Sequence, residues 1–350
     1  MSNKITMQHV ADAAGVSKYV VSKSLSGKPG VNAGTKEHVR QTAVKLGYQF
    51  TPRSGGKTRQ DGNIMDKQTI VVLLPNVRGQ FLDSLYWGRI VEGITQELRT
   101  LDASGIVITD QTVESFLSMV DKANIHGFIG VGEIDTGVLQ EVSRLNVPIV
   151  LIDHDDSLVV SSQLFVNNRE CVYQLTNHLI SLGHRDIRFV GNTGYSISFM
   201  NRWDGFRDAM EEGGLQIVGN DPLCKLRGDT RIEHEVEIGK ILEADRAAGN
   251  LPTALVCAND AIAVCAMNVM DQMNIQVPDD ISITGFDNIE DSYTRIPGIT
   301  TVNVEKEILG KRAVHMLLEK MKYTGFPRES IYLSASIIYR GSIGKMKKEK

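Results

Sequence analysis

ITMQHVADAAGVSKYVVSKSL, residues 5–25, reads as two short helices joined by a tight turn. Thr6 is placed to cap a first helix over 7–14, Gly15 relaxes the backbone at the turn, and Ser17 is placed to cap a second helix starting at Lys18. At about 100° per residue, Val20, Val21, Ser24 and Leu25 fall on one half of the second helix, and Lys18, Tyr19, Ser22 and Lys23 on the other. The apolar half predicts a packed face. The cationic half predicts an outward one, whose side chains suit the phosphates and base edges of a DNA major groove.

A lone amphipathic helix pair is usually only a solvated surface, but its surroundings argue for more. A third helix is expected from about 33 to 46, with Asn32 as its cap and Val39, Ala43 and Leu46 on one stripe. Charge is segregated as well. Residues 1–60 hold ten Lys and Arg against Asp12 and Glu37, a net +8; with −4 for the whole chain, residues 61–350 carry −12. A basic three-helix head on an acidic body is the electrostatic footprint of a DNA binder.

The runs VADAAGVS (10–17) and VVSKSLSGKPGVN (20–32), with Gly47-Tyr48, resemble the N-terminal headpiece of the LacI/GalR family of bacterial transcription regulators. The resemblance implies that Lys18, Tyr19 and Lys23 read bases and that Ser17 and Ser22 position the helix on phosphates. Thr6, Asn32 and Arg53 complete the expected DNA-facing set. Val20 stands where the family commonly has threonine and Lys23 where it often has arginine. Lysine lacks the bidentate fork that reads guanine, so the operator sequence does not carry over.

Residues 51–68, TPRSGGKTRQDGNIMDKQ, are polar, glycine-containing and without helical periodicity, which marks a linker. The family usually places a DNA-induced hinge helix there, with an alanine-arginine pair and a leucine wedge. That pattern is missing: Pro52 begins the segment, Gly55 and Gly56 oppose a helix, and only Ile64 and Met65 are apolar. Arg53, Lys57 and Arg59 remain as phosphate contacts, but without the hinge pattern operator bending by a leucine pair is expected to be reduced or achieved differently. The GGKT at 55–58 lacks the first glycine and preceding strand of a phosphate-binding loop.

From residue 69 short apolar runs alternate with amphipathic segments. Strands are expected at 69–74, 105–109, 127–131, 148–152, 187–191, 254–258 and 281–286, and helices near 83–99, 112–122, 168–182, 200–212, 232–245, 260–272 and 305–321. Such alternation predicts parallel sheets covered by helices. A break in the period near 155–165 predicts two lobes. The resemblance continues through NHLISLGHRDIRFVG (177–191), NRWDGFRDAM (201–210), ANDAIAVCAM (258–267), DDISITGFDN (279–288) and 299–321, with YRGS (339–342) similar to the family's final strand. The fold class is therefore an all-α helix-turn-helix headpiece (1–50), an atypical linker (51–68) and an α/β two-lobed, periplasmic-binding-protein-like core with parallel sheets (69–343).

In open α/β sheets ligands bind outside the carboxyl ends of the strands. Asp153 follows one strand, Asn259 and Asp260 another, and Asp287 a third, while Arg202 opens the helix after 187–191. Carboxylates, an amide and a guanidinium suit the vicinal hydroxyls of a sugar, and Phe81, Tyr195, Phe199, Trp203 and Phe286 are candidate covers for its ring. By the resemblance Asp153, Arg202, Asn259 and Asp287 occupy effector-contact positions. His154, beside Asp153, is a further candidate. Asp260 is also read as a helix cap, and Trp203 and Phe206 equally as core. Val304 replaces a polar contact of some sugar-responsive relatives, and Cys171 a common glycine.

No catalytic triad, activated cysteine or paired catalytic carboxylates stand out, so no enzyme is expected. Cys171, Cys224, Cys257 and Cys265 form no CxxC pair, and His178 and His184 have no partner spaced to share a metal; no metal or cofactor is predicted, and buried thiols in a reducing cytoplasm are expected. No signal peptide or membrane span is visible. The expected partners are a palindromic double-stranded operator, a sugar-like effector and a second copy of the chain, with 81–94 a candidate dimer face. No heptads follow the core, so coiled-coil tetramerisation is not expected. The predicted function is a transcription regulator repressing carbohydrate metabolism genes. The alternatives are a purine or protein co-effector, or a sugar-binding protein without DNA specificity.

Overall fold

The computed structural model describes residues 6–25, 31–45, 68–110, 112–114, 116, 124–228, 230–323, 325 and 327–346, and the chain divides into two compact units, Met1–Ile64 and Met65–Lys350.

In the first unit, α1 (Met7–Ala14), α2 (Lys18–Leu25) and α3 (Ala33–Lys45) form the three-helix module. Each start is closed by the side chain its sequence offers. The Thr6 hydroxyl accepts from the His9 N–H at 3.5 Å and the His9 ring accepts the Thr6 N–H at 3.3 Å, a reciprocal cap that satisfies two orphan donors. Ser17 Oγ accepts from the Val20 N–H at 3.3 Å, and Asn32 Oδ1 from the Thr35 N–H at 2.7 Å. Gly15 ends α1 at φ 65°, where a side chain would be strained. Val10, Ala11, Ala14, Val21, Val39 and Ala43 make a core of their own. Leu46 lies outside the described residues, as does the whole linker up to residue 67.

The second unit holds two sheets. The first contains β1 (Thr69–Leu73), β2 (Ser104–Ile108), β3 (Gly127–Val131), β4 (Ile149–Ile152), β5 (Ser162–Val166) and β10 (Ser330–Leu333), ordered β10-β5-β4-β3-β1-β2 and parallel throughout. The second contains β6 (Ile187–Val190), β7 (Ala254–Cys257), β8 (Ser282–Asp287), β9 (Thr300–Asn303) and β11 (Ser336–Ile338), ordered β11-β9-β8-β7-β6. Only β11 runs antiparallel there. Along β1 and the residue that follows it, Ile70, Val72 and Leu74 enter one core and Val71 and Leu73 another. Both faces are covered, so the strand reads as a continuous apolar run.

The chain passes between the lobes three times. After β5 it enters α6 (Asn168–Ser181), which packs on α7 (Ile197–Glu212) in the second lobe; after β9 it enters α11 (Lys306–Lys322), which packs on α4 (Trp87–Thr100) in the first. Between β10 and β11 it crosses back at 334–335. The α4–α11 crossing is backbone to backbone: a Cβ at Gly93 would lie 2.2 Å from the Glu307 carbonyl oxygen, and one at Gly310 2.2 Å from that of Ile90. Bulk at either position would force these helices apart.

Several expectations need correction. The stretch 155–165 is no break, since it contains the start of β5, buried at every position. The lobe boundary therefore falls at Asn167. The last strand is Ser336–Ile338, and YRGS follows it. Helix α5 (Thr136–Arg144), α10 (Glu290–Thr294) and strands β9 and β10 were not anticipated. Of the helix expected at 112–122, all but 112–114 and 116 lies outside the described residues.

Candidate functional site

Helix α2 presents the outward face its sequence predicts. Lys18 is exposed, Tyr19 is 67% exposed, and Ser22 and Lys23 are half-buried, while Val21 and Ser24 are buried. The Lys23 ammonium lies 4.9 Å from the centre of the Tyr19 ring, a cation–π contact that pre-orders two of the side chains expected to meet DNA. Ser17, Thr6 and Asn32 spend their side-chain oxygens on helix starts. Arg53 lies outside the described residues.

Between the lobes of the core is a cavity of about 660 Å³. Phe81, Asp153, Phe199, Arg202, Asn259 and Asp287 all line it. The topology explains the convergence: β4, β7 and β8 run parallel and end here, delivering Asp153, Asn259 and Asp287, while α7 brings Phe199 and Arg202. Arg202 sits within α7 rather than opening it.

Arg202 is 3% exposed and organises the floor. Its Nε donates to Asn168 Oδ1 at 2.8 Å, Nη1 to the Ala258 carbonyl at 2.7 Å, and Nη2 to Asp287 Oδ1 at 3.5 Å. The guanidinium also lies 3.7 Å from the centre of the Phe286 ring and 5.4 Å from that of Phe199. Asn168 Nδ2 donates to the Ser198 hydroxyl at 3.0 Å, and that hydroxyl donates to Asp153. One polar chain thus runs from the second lobe to the end of β4 in the first.

Burial holds the Asp153 carboxyl above the usual range, opposed by Arg202 and by the Ser198 hydrogen bond. Burial pushes Asp287 up to about 7, with Arg202 opposing and Asp260 reinforcing. The phenol of Tyr86 is raised well above its ordinary value, by burial first and then by these two aspartates. Because folded Asp287 holds its proton to a higher pH than the unfolded chain, its ionisation costs stability progressively from about pH 4 to about pH 7. Asp287→Asn is expected to flatten that fall. A series of urea midpoints from pH 4 to 8 measures it, and identical profiles for variant and wild type would contradict the assignment.

The remaining candidates fall elsewhere. His154 does not line the cavity: its ring lies near Asp156, Glu133 and Asp155, and burial lowers its pKa despite them. Asp260 is not the helix cap, because Asn259 Oδ1 accepts from the Ile262 N–H at 2.9 Å in that role. Asp260 is fully buried, accepting from the Thr301 hydroxyl at 2.6 Å and the Ile289 N–H at 2.9 Å. Phe206 is core, with Trp203 packed on it at 5.4 Å between ring centres. Phe286 is fully buried beneath Arg202.

Sequence reasoning missed the cavity's far wall. Arg78 follows β1 and Glu133 follows β3, and they pair at 2.6 Å. Arg78 Nη1 also donates to the Tyr195 carbonyl of the second lobe at 3.0 Å, and the Tyr195 hydroxyl donates to the Arg78 carbonyl. The rule that ligands meet strand carboxyl ends, applied to β1 and β3 as well, would have found both. Among the described residues no helix is long and apolar enough to cross a membrane, and no group of three His, Cys, Asp or Glu is placed to hold a metal.

Comparison with known proteins gives two family matches. Residues 6–50 match the bacterial regulatory proteins of the lacI family, and residues 176–343 match the periplasmic binding protein-like domain. The chain is 27% identical over 345 residues to the HTH-type transcriptional repressor PurR of Pasteurella multocida strain Pm70, covering 97% of this chain and 98% of that one. Its fold is similar to that of the lac repressor dimer bound to operator and the anti-inducer ONPF: TM-score 0.71, 22% identity, with 98% of this chain and 100% of that one covered. It is also similar to the transcriptional regulator CelR in its cellobiose complex: TM-score 0.70, 20% identity, 97% and 99% covered.

Proposed function

We propose that this chain, which matches the lacI family of bacterial regulatory proteins over 6–50 and the periplasmic binding protein-like domain over 176–343, is a DNA-binding transcription regulator that represses carbohydrate genes under control of a sugar-like effector held between the lobes. The observation that carries this reading is the cavity floor, where Asp153 and Asp287 flank a buried Arg202 beside the aromatic wall of Phe199. Carboxylates accept from vicinal hydroxyls in pairs, and an aromatic wall covers the apolar face of a sugar ring. The cellobiose complex of CelR supports the sugar class.

In this reading residues 1–50 bind DNA, 51–68 link, and 69–343 bind effector and dimerise. Lys18, Tyr19 and Lys23 read bases, Ser17 and Ser22 set the helix on phosphates, and Thr6, Asn32 and Arg53 add backbone contacts. A homodimer, as in the lac repressor structure, meets a palindromic operator in the cytoplasm, because one recognition helix reads too few base pairs alone. Effector shifts the lobes between two arrangements, and its differential affinity for the two sets the change in DNA affinity.

Thermal-shift titration against neutral sugars, sugar phosphates and nucleobases tests the effector class. Stabilisation by a sugar, lost in Asp153→Asn and Asp287→Asn, is expected. Stabilisation by nucleobases alone would remove the sugar reading and leave the regulator.

A further inference from the structure

The residue that presents the Asp287 carboxylate is held in an unusual backbone. Asp287 and its neighbour Asn288 are consecutive non-glycine residues at φ 105° and 51°, a region that side-chain-bearing residues keep only when their surroundings over-determine it. Besides Arg202, four side chains hold this turn. Asp260 Oδ2 accepts the Ile289 N–H at 2.9 Å, Asn303 Oδ1 accepts from Asn288 Nδ2 at 2.8 Å, and Arg340 Nη2 donates to Asn288 Oδ1 at 2.6 Å. The fourth is Lys306.

Lys306 is 7% exposed, and its Nζ donates to the carbonyls of Asp287 at 2.5 Å, Val304 at 3.0 Å and Asn288 at 3.4 Å. An ammonium has three donors, and backbone oxygens take all three. Withdrawing that charge from water is costly unless every donor is placed, so these carbonyls fix the side chain as firmly as it fixes them. Its position in the chain gives the contact direction. Asp287 ends β8 in the second lobe, whereas Lys306 begins α11, whose body packs on α4, β3 and β4 of the first lobe. Val304 belongs to the crossover between them. One side chain therefore joins the cleft-facing turn of one lobe to the first residue of a helix seated on the other.

We propose that Lys306 is a positioning residue that fastens the Asp287–Asn288 turn to the 304–306 crossover, so that turn and crossover move as one body when the lobes reorient. The inference rests on the reading of the cleft as the effector site, since only then does the coupling carry a signal. Lys306 is not among the residues that line the cavity and reaches it only through the Asp287 carbonyl, so it would transmit occupancy without contacting the effector.

Amide hydrogen exchange by mass spectrometry on the full chain tests this, comparing wild type, Lys306→Met and Lys306→Arg. In Lys306→Met the peptides covering 286–290 and 303–308 are expected to exchange about tenfold faster, while peptides from β7 and the helix Asp260–Met273 stay within about twofold of wild type. Lys306→Arg restores most of the protection. Acceleration spread evenly over the second lobe, or none at the turn, would overturn the proposal. A second arm adds the duplex recovered from a random pool by selection with this protein. By reciprocity the wild-type turn should respond to DNA and the Lys306→Met turn should not. A Met variant that still relays DNA binding to the turn would overturn the coupling; a wild-type turn indifferent to DNA, with Lys306→Met still loosened, would overturn the cleft reading and leave the anchor.

Discussion

Arg202→Met is expected to abolish the effector response and to destabilise the core, while the headpiece keeps its affinity for nonspecific DNA. The methionine preserves much of the stem but removes the donors to Asn168, Ala258 and Asp287. It also leaves Asp153 and Asp287 facing a common floor without their cation, and both already hold protons above the ordinary range. Breaking a buried charged network by deleting one partner costs about 3–5 kcal/mol. Loss of the Asn168 contact also frees the chain that reaches Asp153 through Ser198, so the defect extends into the first lobe. The headpiece packs on a core of its own and does not depend on any of these bonds. Urea midpoints measure the stability loss, and effector titration of operator-bound protein measures the response. A variant of normal stability that still released or captured DNA with effector would contradict the assignment of the floor.

Lys23→Ala is expected to weaken specific DNA binding far more than nonspecific binding. On the base-reading assignment the loss is about 1–3 kcal/mol, roughly fivefold to 150-fold. Two contributions combine. The ammonium itself is lost, and Tyr19, 67% exposed, loses the cation 4.9 Å from its ring centre that orders it. Affinities measured on a selected duplex and a scrambled one, across a salt series, separate the cases. Equal weakening on both duplexes, with the salt slope reduced by about one, would make Lys23 a phosphate contact instead.

The headpiece was legible because its signals are local. Thr6, Gly15, Ser17 and Asn32 each act within a few residues of their own position, and each forms the cap or turn its sequence predicts. The cleft was half legible. Asp153, Asn259 and Asp287 follow apolar runs whose parallel order places their ends together, and this depends only on periodicity and topology. Arg78, Glu133 and Tyr86 stayed hidden because their roles depend on how the lobes meet, which no single segment encodes. The strand at 162–166 was missed for a related reason. It begins with Ser162 and Gln163, buried polar residues whose partners lie far along the chain: Ser162 Oγ accepts from the Glu329 N–H at 2.9 Å, and Gln163 Oε1 accepts from the Ser330 hydroxyl at 2.5 Å. A polar residue satisfied across a sheet looks, in sequence, like a loop. Asp260 and Lys306 share that character: Asp260 reads as a helix cap, and nothing local marks Lys306, until their partners are known.

The most direct test of a two-lobed, effector-linked DNA regulator is selection of duplexes from a random pool by the full chain at two salt concentrations. Recovery of a palindrome that persists at the higher salt is predicted, since base contacts survive screening that removes counterion-driven binding. Salt-sensitive retention without any shared motif would contradict specific readout by α2, and with it the central claim.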